Sequence, residues 1–124
     1  MKVRFAGLCG YLLSKVVAAR ARGKDKDYYD FAYVLIHNQE GGPRQAAELL
    51  SAGEFHDAVV DLRATLEEIG ARFRNAADFA ARSYAEQMRL VDPELDEATL
   101  RTDATVAVGE FLDVLLAGPT SPVR

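Results

Sequence analysis

Apolar residues recur at helical spacing along most of this chain. The clearest series lies in the middle of the sequence, where apolar positions alternate between steps of four and three residues: Phe55, Val59, Leu62, Leu66, Ile69 and Phe73. This spacing places the side chains on one side of a helix and is typical of a helix that packs against another helix. Gly70 is a candidate interruption of the series. A second helical pattern continues from Phe73 to about Leu90, through Ala77, Ala80, Tyr84 and Met88.

Four further segments carry the same periodicity. The first is a helix between Gly10 and Gly23, with Gly23 placed to end it. A second helix, capped by Asp25 or Asp27, has Tyr28, Phe31, Ala32 and Leu35 on one side. The third is a short helix from Pro43 through Leu50, since proline suits the first turn. The last predicted helix carries Val108, Phe111, Leu112 and Leu115 and ends at Gly118-Pro119.

The first residues show a different pattern. Lys2-Val3-Arg4-Phe5 alternates polar and apolar positions and is followed by Gly7, which predicts a short strand over residues 2–6. A lone strand leaves its backbone groups unpaired, so it needs a partner in another segment or in a sheet outside this chain. The sequence therefore predicts a mainly α protein: a bundle of five to six helices with a candidate N-terminal strand. We expect a single helical domain over residues 1–118 and a flexible tail over residues 119–124.

The composition argues against a disordered chain, a membrane-spanning protein and a disulfide-rich secreted protein. The 124 residues are 49% hydrophobic and 27% charged, as in an ordinary globular domain rather than a disordered chain. Lys15 interrupts the apolar stretch near the N-terminus, which argues against a secretory signal, and no run approaches the ~20 apolar residues of a membrane span. A single cysteine excludes an internal disulfide framework. We therefore expect a cytoplasmic protein with no membrane partner.

Charge is distributed unevenly along the chain. The net charge is -4, but residues up to Lys26 carry +6 and the remainder carries -10. A basic end of this kind favours an anionic partner, such as a phosphate-bearing ligand or a nucleic acid. Pairing between the basic end and the acidic body explains the same distribution. Charge alone favours this second interpretation, because no basic block is long enough to be a nucleic-acid-binding arm.

The residues from Lys15 to Asp30 carry the candidate chemistry. Lys15 and Arg22 share one face of the predicted first helix, about 10 Å apart, with only small residues between them. Asp27 and Asp30 follow after Gly23 and lie near each other on the next helix. If the second helix folds back beside the first, the four side chains converge. That arrangement fits either a site for a bulky anion or a set of ion pairs between two helices.

The same run resembles the third motif of the AbiEii/AbiGii abortive-infection toxins. That motif reads Lys-x-x-Ala-x-x-x-Arg-x-x-x-Arg-Asp-x-x-Asp and is followed by an apolar helix. The matching positions in register are Lys15, Ala18, Arg22, Asp27 and Asp30. Lys26 replaces the usual second arginine, which keeps the charge but loses the planar fork. Beyond about Leu35 the similarity is only to a generic helical half.

The resemblance implies the helical C-terminal part of a nucleotidyltransferase-like toxin of a toxin–antitoxin system. The family uses a nucleoside triphosphate with Mg²⁺, and some members are associated with modification of transfer RNA. It implies a catalytic set of Lys15, Asp27 and Asp30, and a nucleotide- and RNA-binding set of Lys15, Arg22 and Lys26. Lys15 would contact triphosphate oxygens, and the two carboxylates would orient the cations or assist proton transfer. The implied partners are a nucleotide, an RNA acceptor and a cognate antitoxin.

One family feature is missing from the sequence. The first motif, a Gly-Ser turn followed by a metal-binding Asp-x-Asp pair, has no counterpart, since no Gly-Ser precedes Asp25-Lys26-Asp27. We therefore expect no metal ligands and an inactive chain that needs a missing N-terminal nucleotidyltransferase half as a partner, which leaves enzymatic activity undecided. His37, His56 and Cys9 lack companions at ligand spacing. The alternative is a non-catalytic helical interaction module that binds through its acidic helices or an apolar surface around residues 2–8.

Overall fold

A computed structural model describes residues 2–22, 24–38, 41–51 and 53–117. Over these ranges the chain forms seven α-helices and one 3-10 turn, Gly53–Phe55. The helices are α1 (Lys2–Ala21), α2 (Asp25–His37), α3 (Pro43–Ser51), α4 (His56–Asp61), α5 (Arg63–Arg72), α6 (Phe79–Val91) and α7 (Glu97–Ala117). The predicted mainly α bundle is confirmed.

Helix α7 lies at the centre of the core and packs against α2, α3, α5 and α6. Its buried face includes Ala104, Val108 and Phe111, which follow the predicted helical spacing. The Phe111 ring meets the Phe31 ring of α2 edge to face, with centroids 5.6 Å apart. The helix begins well before the predicted segment, because the Asp96 carboxylate accepts the backbone N–H of Thr99 at 2.9 Å and satisfies the first turn.

Helices α1 and α2 pack side by side and create the setting of the candidate site. Helix α1 buries Cys9, Leu12 and Val16, at spacings of three and four residues. Helix α2 buries the four apolar residues that the sequence predicted: Tyr28, Phe31, Ala32 and Leu35. Only residues 22–24 separate the two helices in sequence, so charged residues near the end of α1 and the start of α2 lie next to each other.

The strand predicted over residues 2–6 is not seen, because these residues belong to α1. A four-residue alternation is a weak pattern beside the helical repeat of buried residues that follows it, and a lone strand has no partner for its backbone groups. Gly23, Gly118-Pro119 and the tail over residues 119–124 lie outside the described residues, so the helix ends predicted there stay predictions.

The central apolar series is divided between two helices instead of one. Leu62, with φ -99° and ψ 10°, lies between α4 and α5. Helical hydrogen bonding nevertheless continues across it, from Leu62 N–H to Ala58 O at 3.0 Å and from Leu66 N–H to Leu62 O at 2.9 Å. Gly70 lies inside α5 and does not interrupt it. A Cβ at Gly70 would stand 2.6 Å from Leu112 Cδ1, so glycine there permits close approach of α5 to α7.

Candidate functional site

The four charged residues singled out by spacing form two ion pairs across the α1–α2 interface. Lys15 Nζ lies 2.9 Å from Asp30 Oδ2. Arg22 donates from Nε to Asp27 Oδ2 and from Nη2 to Asp27 Oδ1, both at 2.9 Å. The structure brings these side chains together in pairs, and the roles predicted for them stay predictions. Lys15 of α1 and Arg22, the residue that follows α1, each bind one carboxylate of α2.

Asp27 is the most enclosed member of the cluster. Its side chain is fully buried, whereas the Arg22 side chain is 55% exposed. The Asp27 carboxylate also accepts the backbone N–H of Lys24 at 3.4 Å, from the third position of α2. The residue that caps α2 is Lys24, so the prediction of Asp25 or Asp27 as the cap is wrong. The hydrogen bond from Arg22 holds the pKa of Asp27 below its usual value, although burial acts in the opposite direction. A carboxylate held in this way is a weak proton acceptor, so the geometry favours an orienting role.

Asp30 is shared by two lysines. Besides Lys15, it accepts from Lys26 Nζ at 3.3 Å, across one turn of α2. The Lys15 ammonium also lies 5.3 Å from the centroid of the Tyr11 ring. The hydrogen bond to Asp30 raises the pKa of Lys15, so this group stays charged at neutral pH. The exposed fraction is 18% for the Lys15 side chain and 79% for that of Lys26, so Lys26 is far more open to solvent.

The cluster presents three cations that two carboxylates hold in place. We call Lys15, Arg22 and Lys26 together the cationic edge. Because the bonds from Arg22 to Asp27 occupy Nε and Nη2, the half-exposed guanidinium keeps further N–H groups for another acceptor. The carboxylates of Asp27 and Asp30 are taken up by these cations, so the donor set does not fit a magnesium ion. Within the described residues, no group of three or more His, Cys, Asp or Glu could hold a metal ion.

A groove of about 440 Å³ lies next to Arg22, between α1, α2, α5 and the start of α6. Its lining residues are Ala19, Arg20, Ala21, Arg22, Tyr28, Glu68, Arg72 and Phe79. We call this the arginine groove. Of the predicted site residues, only Arg22 lines it, while Lys15, Lys26, Asp27 and Asp30 lie outside its walls. The predicted residues thus meet in an ion-pair cluster, and the accessible hollow is beside that cluster.

Sequence reasoning missed three residues of the arginine groove: Glu68, Arg72 and Phe79. They lie more than thirty residues after the charged run, on α5 and at the first position of α6. Glu68 and Arg72 are four residues apart on the exposed side of a helix, a spacing that many solvated helices share. No signal in the sequence distinguishes them, since only the packing of α5 beside α1 brings them to Arg22.

No protein-family model matches the chain, and neither a curated protein nor a solved structure is significantly similar to it. The resemblance to the AbiEii/AbiGii toxins therefore stays a prediction that depends on residues 12–30. Among the described helices, none combines the length and the apolar character needed to cross a membrane.

Proposed function

We propose that this chain is the helical C-terminal part of an AbiEii-like nucleotidyltransferase and binds the phosphate groups of a nucleotide or an RNA at its cationic edge. The observation that supports this proposal best is the pairing of Arg22 with the buried carboxylate of Asp27. Asp27 holds the guanidinium plane by two bonds of 2.9 Å, while the Arg22 side chain as a whole is 55% exposed. A positioned guanidinium loses less freedom when it binds a phosphate than a mobile one.

The three cations contribute differently to phosphate binding. Arg22 offers a planar fork that suits two phosphate oxygens, whereas Lys15 and Lys26 act as point charges on either side of Asp30. Asp30 neutralises part of their charge, so the cationic edge keeps a net excess of one positive charge over Asp27 and Asp30. A ligand with several phosphate groups gains more from such an edge than a single phosphate does.

The chain supplies binding rather than a complete set of catalytic groups. Nucleotidyl transfer depends on divalent metal ions that align and neutralise the phosphates. The carboxylates at the cationic edge are already occupied by Lys15, Arg22 and Lys26, so no metal-dependent step is assigned to them. In this proposal a separate nucleotidyltransferase half supplies the metal site, and a cognate antitoxin is a further partner.

Calorimetric titration of the full chain with ATP and with a short RNA hairpin tests the proposal. We expect weak binding by the native chain and a loss of at least about tenfold in the double variant Lys15→Ala with Arg22→Ala. Because that variant leaves two aspartates without partners, Lys26→Ala provides a second test at a 79% exposed side chain. The control is Arg44→Ala with Arg63→Ala, which removes two cations from other helices. Equal losses in both double variants, or no binding by the native chain, contradict the proposal.

A second candidate function is a non-catalytic interaction module, and one observation favours it. Leu90 and Val91 are adjacent at the end of α6, and they are 75% and 83% exposed. These adjacent open side chains form a small apolar patch, and apolar patches on a protein surface are where other proteins bind. This proposal predicts a stable oligomer that Leu90→Ser with Val91→Ser dissociates. A clean monomer by light scattering, for the native chain at high concentration, counts against self-association.

A further inference from the structure

The arginine groove contains charged groups that the ion-pair cluster does not use. Among the described residues, neither Arg20 nor Glu68 has an ion pair or a hydrogen-bonding partner for its side chain, and Arg72 has only a contact with an aromatic ring. All three side chains are exposed. A volume of about 440 Å³ falls within the range of small-molecule sites, and the methyl groups of Ala19 and Ala21 leave that space open.

Aromatic rings line the other part of the groove. Tyr28 is 4% exposed and Phe79 is 38% exposed, and their rings meet edge to face with centroids 5.7 Å apart. The Arg72 guanidinium lies 5.8 Å from the Tyr28 ring centroid, within the distance of a cation–π contact. One small hollow therefore combines guanidinium groups with a partly open ring. Phosphate binds to the first feature and a flat base stacks on the second.

We infer that the arginine groove is the subsite for the base and one phosphate of a nucleotide whose remaining phosphates lie along the cationic edge. Arg22 belongs to both the arginine groove and the cationic edge, so a ligand that fills the groove contacts one of the three cations of the edge. Arg20 and Arg72 bind phosphate, and Phe79 contacts the base. This inference rests on the proposed function, because it assigns the part of the nucleotide that the motif residues do not reach.

Glu68 provides a test in which the affinity should rise, whereas a substitution that only disturbs the structure would lower it. Its carboxylate is the acid among the groove's lining residues and repels a phosphate bound there. Glu68→Gln therefore strengthens binding, by about two- to fivefold for an exposed charge. Glu67→Gln is the matched control, since Glu67 is the preceding residue but pairs with Arg63 and does not line the groove.

The experiment is calorimetric titration of the full chain with ATP and with inorganic tripolyphosphate. Phe79→Ala should weaken ATP binding about tenfold and leave tripolyphosphate binding unchanged, since only ATP carries a base that stacks. Arg72→Gln should weaken the binding of both ligands. Circular dichroism of each variant shows whether it is folded. If Phe79→Ala unfolds, the affinity of Glu68→Gln tests the inference instead.

The possible results distinguish failure of the groove assignment from failure of the proposed function. If Lys15→Ala weakens ATP binding while Phe79→Ala, Arg72→Gln and Glu68→Gln do not change it, the cationic edge binds phosphate and the groove assignment is wrong. If Arg72→Gln lowers stability without changing affinity, the arginine serves only its contact with Tyr28 and the assignment is wrong. A native chain that binds neither ligand overturns the proposed function and this inference with it.

Discussion

The surroundings of α7 and the α1–α2 interface differ in what they bury. Around α7 the enclosed side chains are mainly apolar, and two of the largest, Phe31 and Phe111, meet edge to face. Between α1 and α2 the enclosed groups include two carboxylates, Asp27 at 1% exposure and Asp30 at 8%. Both regions belong to one bundle, yet only the second contains ionised groups that cost free energy to bury.

This difference separates residues that stabilise the fold from residues that position charge. An apolar pair of similar size is often at least as stabilising as a buried ion pair, because removing two charges from water offsets their attraction. Stability alone therefore does not account for Asp27 and Asp30. Their geometry accounts for them better: each carboxylate holds cations of the cationic edge at a fixed place beside an accessible groove.

The largest loss of stability should come from a cavity in the apolar core around α7. Phe111→Ala removes a ring that is fully buried and in contact with Phe31, and we expect a loss of about 3–5 kcal/mol in the free energy of unfolding. Chemical denaturation followed by circular dichroism measures it. Val106→Ala on the same helix is the control, since Val106 is 60% exposed and should change the free energy by less than about 0.5 kcal/mol. Similar losses in the two variants would contradict this description of the core.

A smaller effect should follow loss of charge at the α1–α2 interface. Asp27→Asn keeps the size of the side chain but removes the charge that accepts two bonds from Arg22. We expect a loss of about 1–2 kcal/mol in the free energy of unfolding at neutral pH. Glu67→Gln is the control in an exposed pair, with an expected change below about 0.5 kcal/mol. Equal losses in the two variants would mean that the buried Asp27–Arg22 pair stabilises the fold no more than an exposed pair does.

The same variant predicts a dependence on pH with a defined sign. The pKa of Asp27 is lower in the folded chain than its ordinary value of 3.8, chiefly because of the bond from Arg22. Its stabilising contribution is therefore complete above that ordinary value and is lost as pH falls through the lower folded value. The free energy of unfolding should drop less for Asp27→Asn than for the native chain between about pH 5 and pH 2. Parallel curves for the two proteins would contradict the assignment.

The sequence predicted most of the fold because burial follows periodicity here. The apolar positions of α2, and those of α4 and α5 after Phe55, are buried at the spacing that predicted them. The number and limits of the helices were harder to predict. Leu62 keeps its place in the apolar series although its backbone departs from helical geometry, and a side-chain pattern does not report such a local departure.

The candidate site was predictable only where its residues are close in sequence. The pairs Lys15–Asp30 and Arg22–Asp27 follow from helical spacing and one short connection. The partners of Arg22 in the arginine groove come from α5 and α6, and their positions depend on tertiary packing that spacing does not encode. The charged cluster fits both a set of ion pairs that joins two helices and a phosphate site, and titration with ATP and tripolyphosphate distinguishes the two.

The smallest predicted effect concerns the contact between α5 and α7, where two glycines occupy different surroundings. A Cβ at Gly109 meets nothing within 4 Å. Gly109→Ala should therefore raise the free energy of unfolding by about 0.5–1 kcal/mol, because alanine lowers the conformational entropy of the unfolded chain. Gly70→Ala gains the same helical preference, but its Cβ would stand 2.6 Å from Leu112 Cδ1 and force that buried side chain to move. Because the clashing atom is the far end of a flexible side chain, we expect Gly70→Ala to be less stable than Gly109→Ala by only about 0.5–1 kcal/mol. Thermal denaturation of the two variants measures the difference, and equal stabilities would show that α5 and α7 are not in close contact at Gly70.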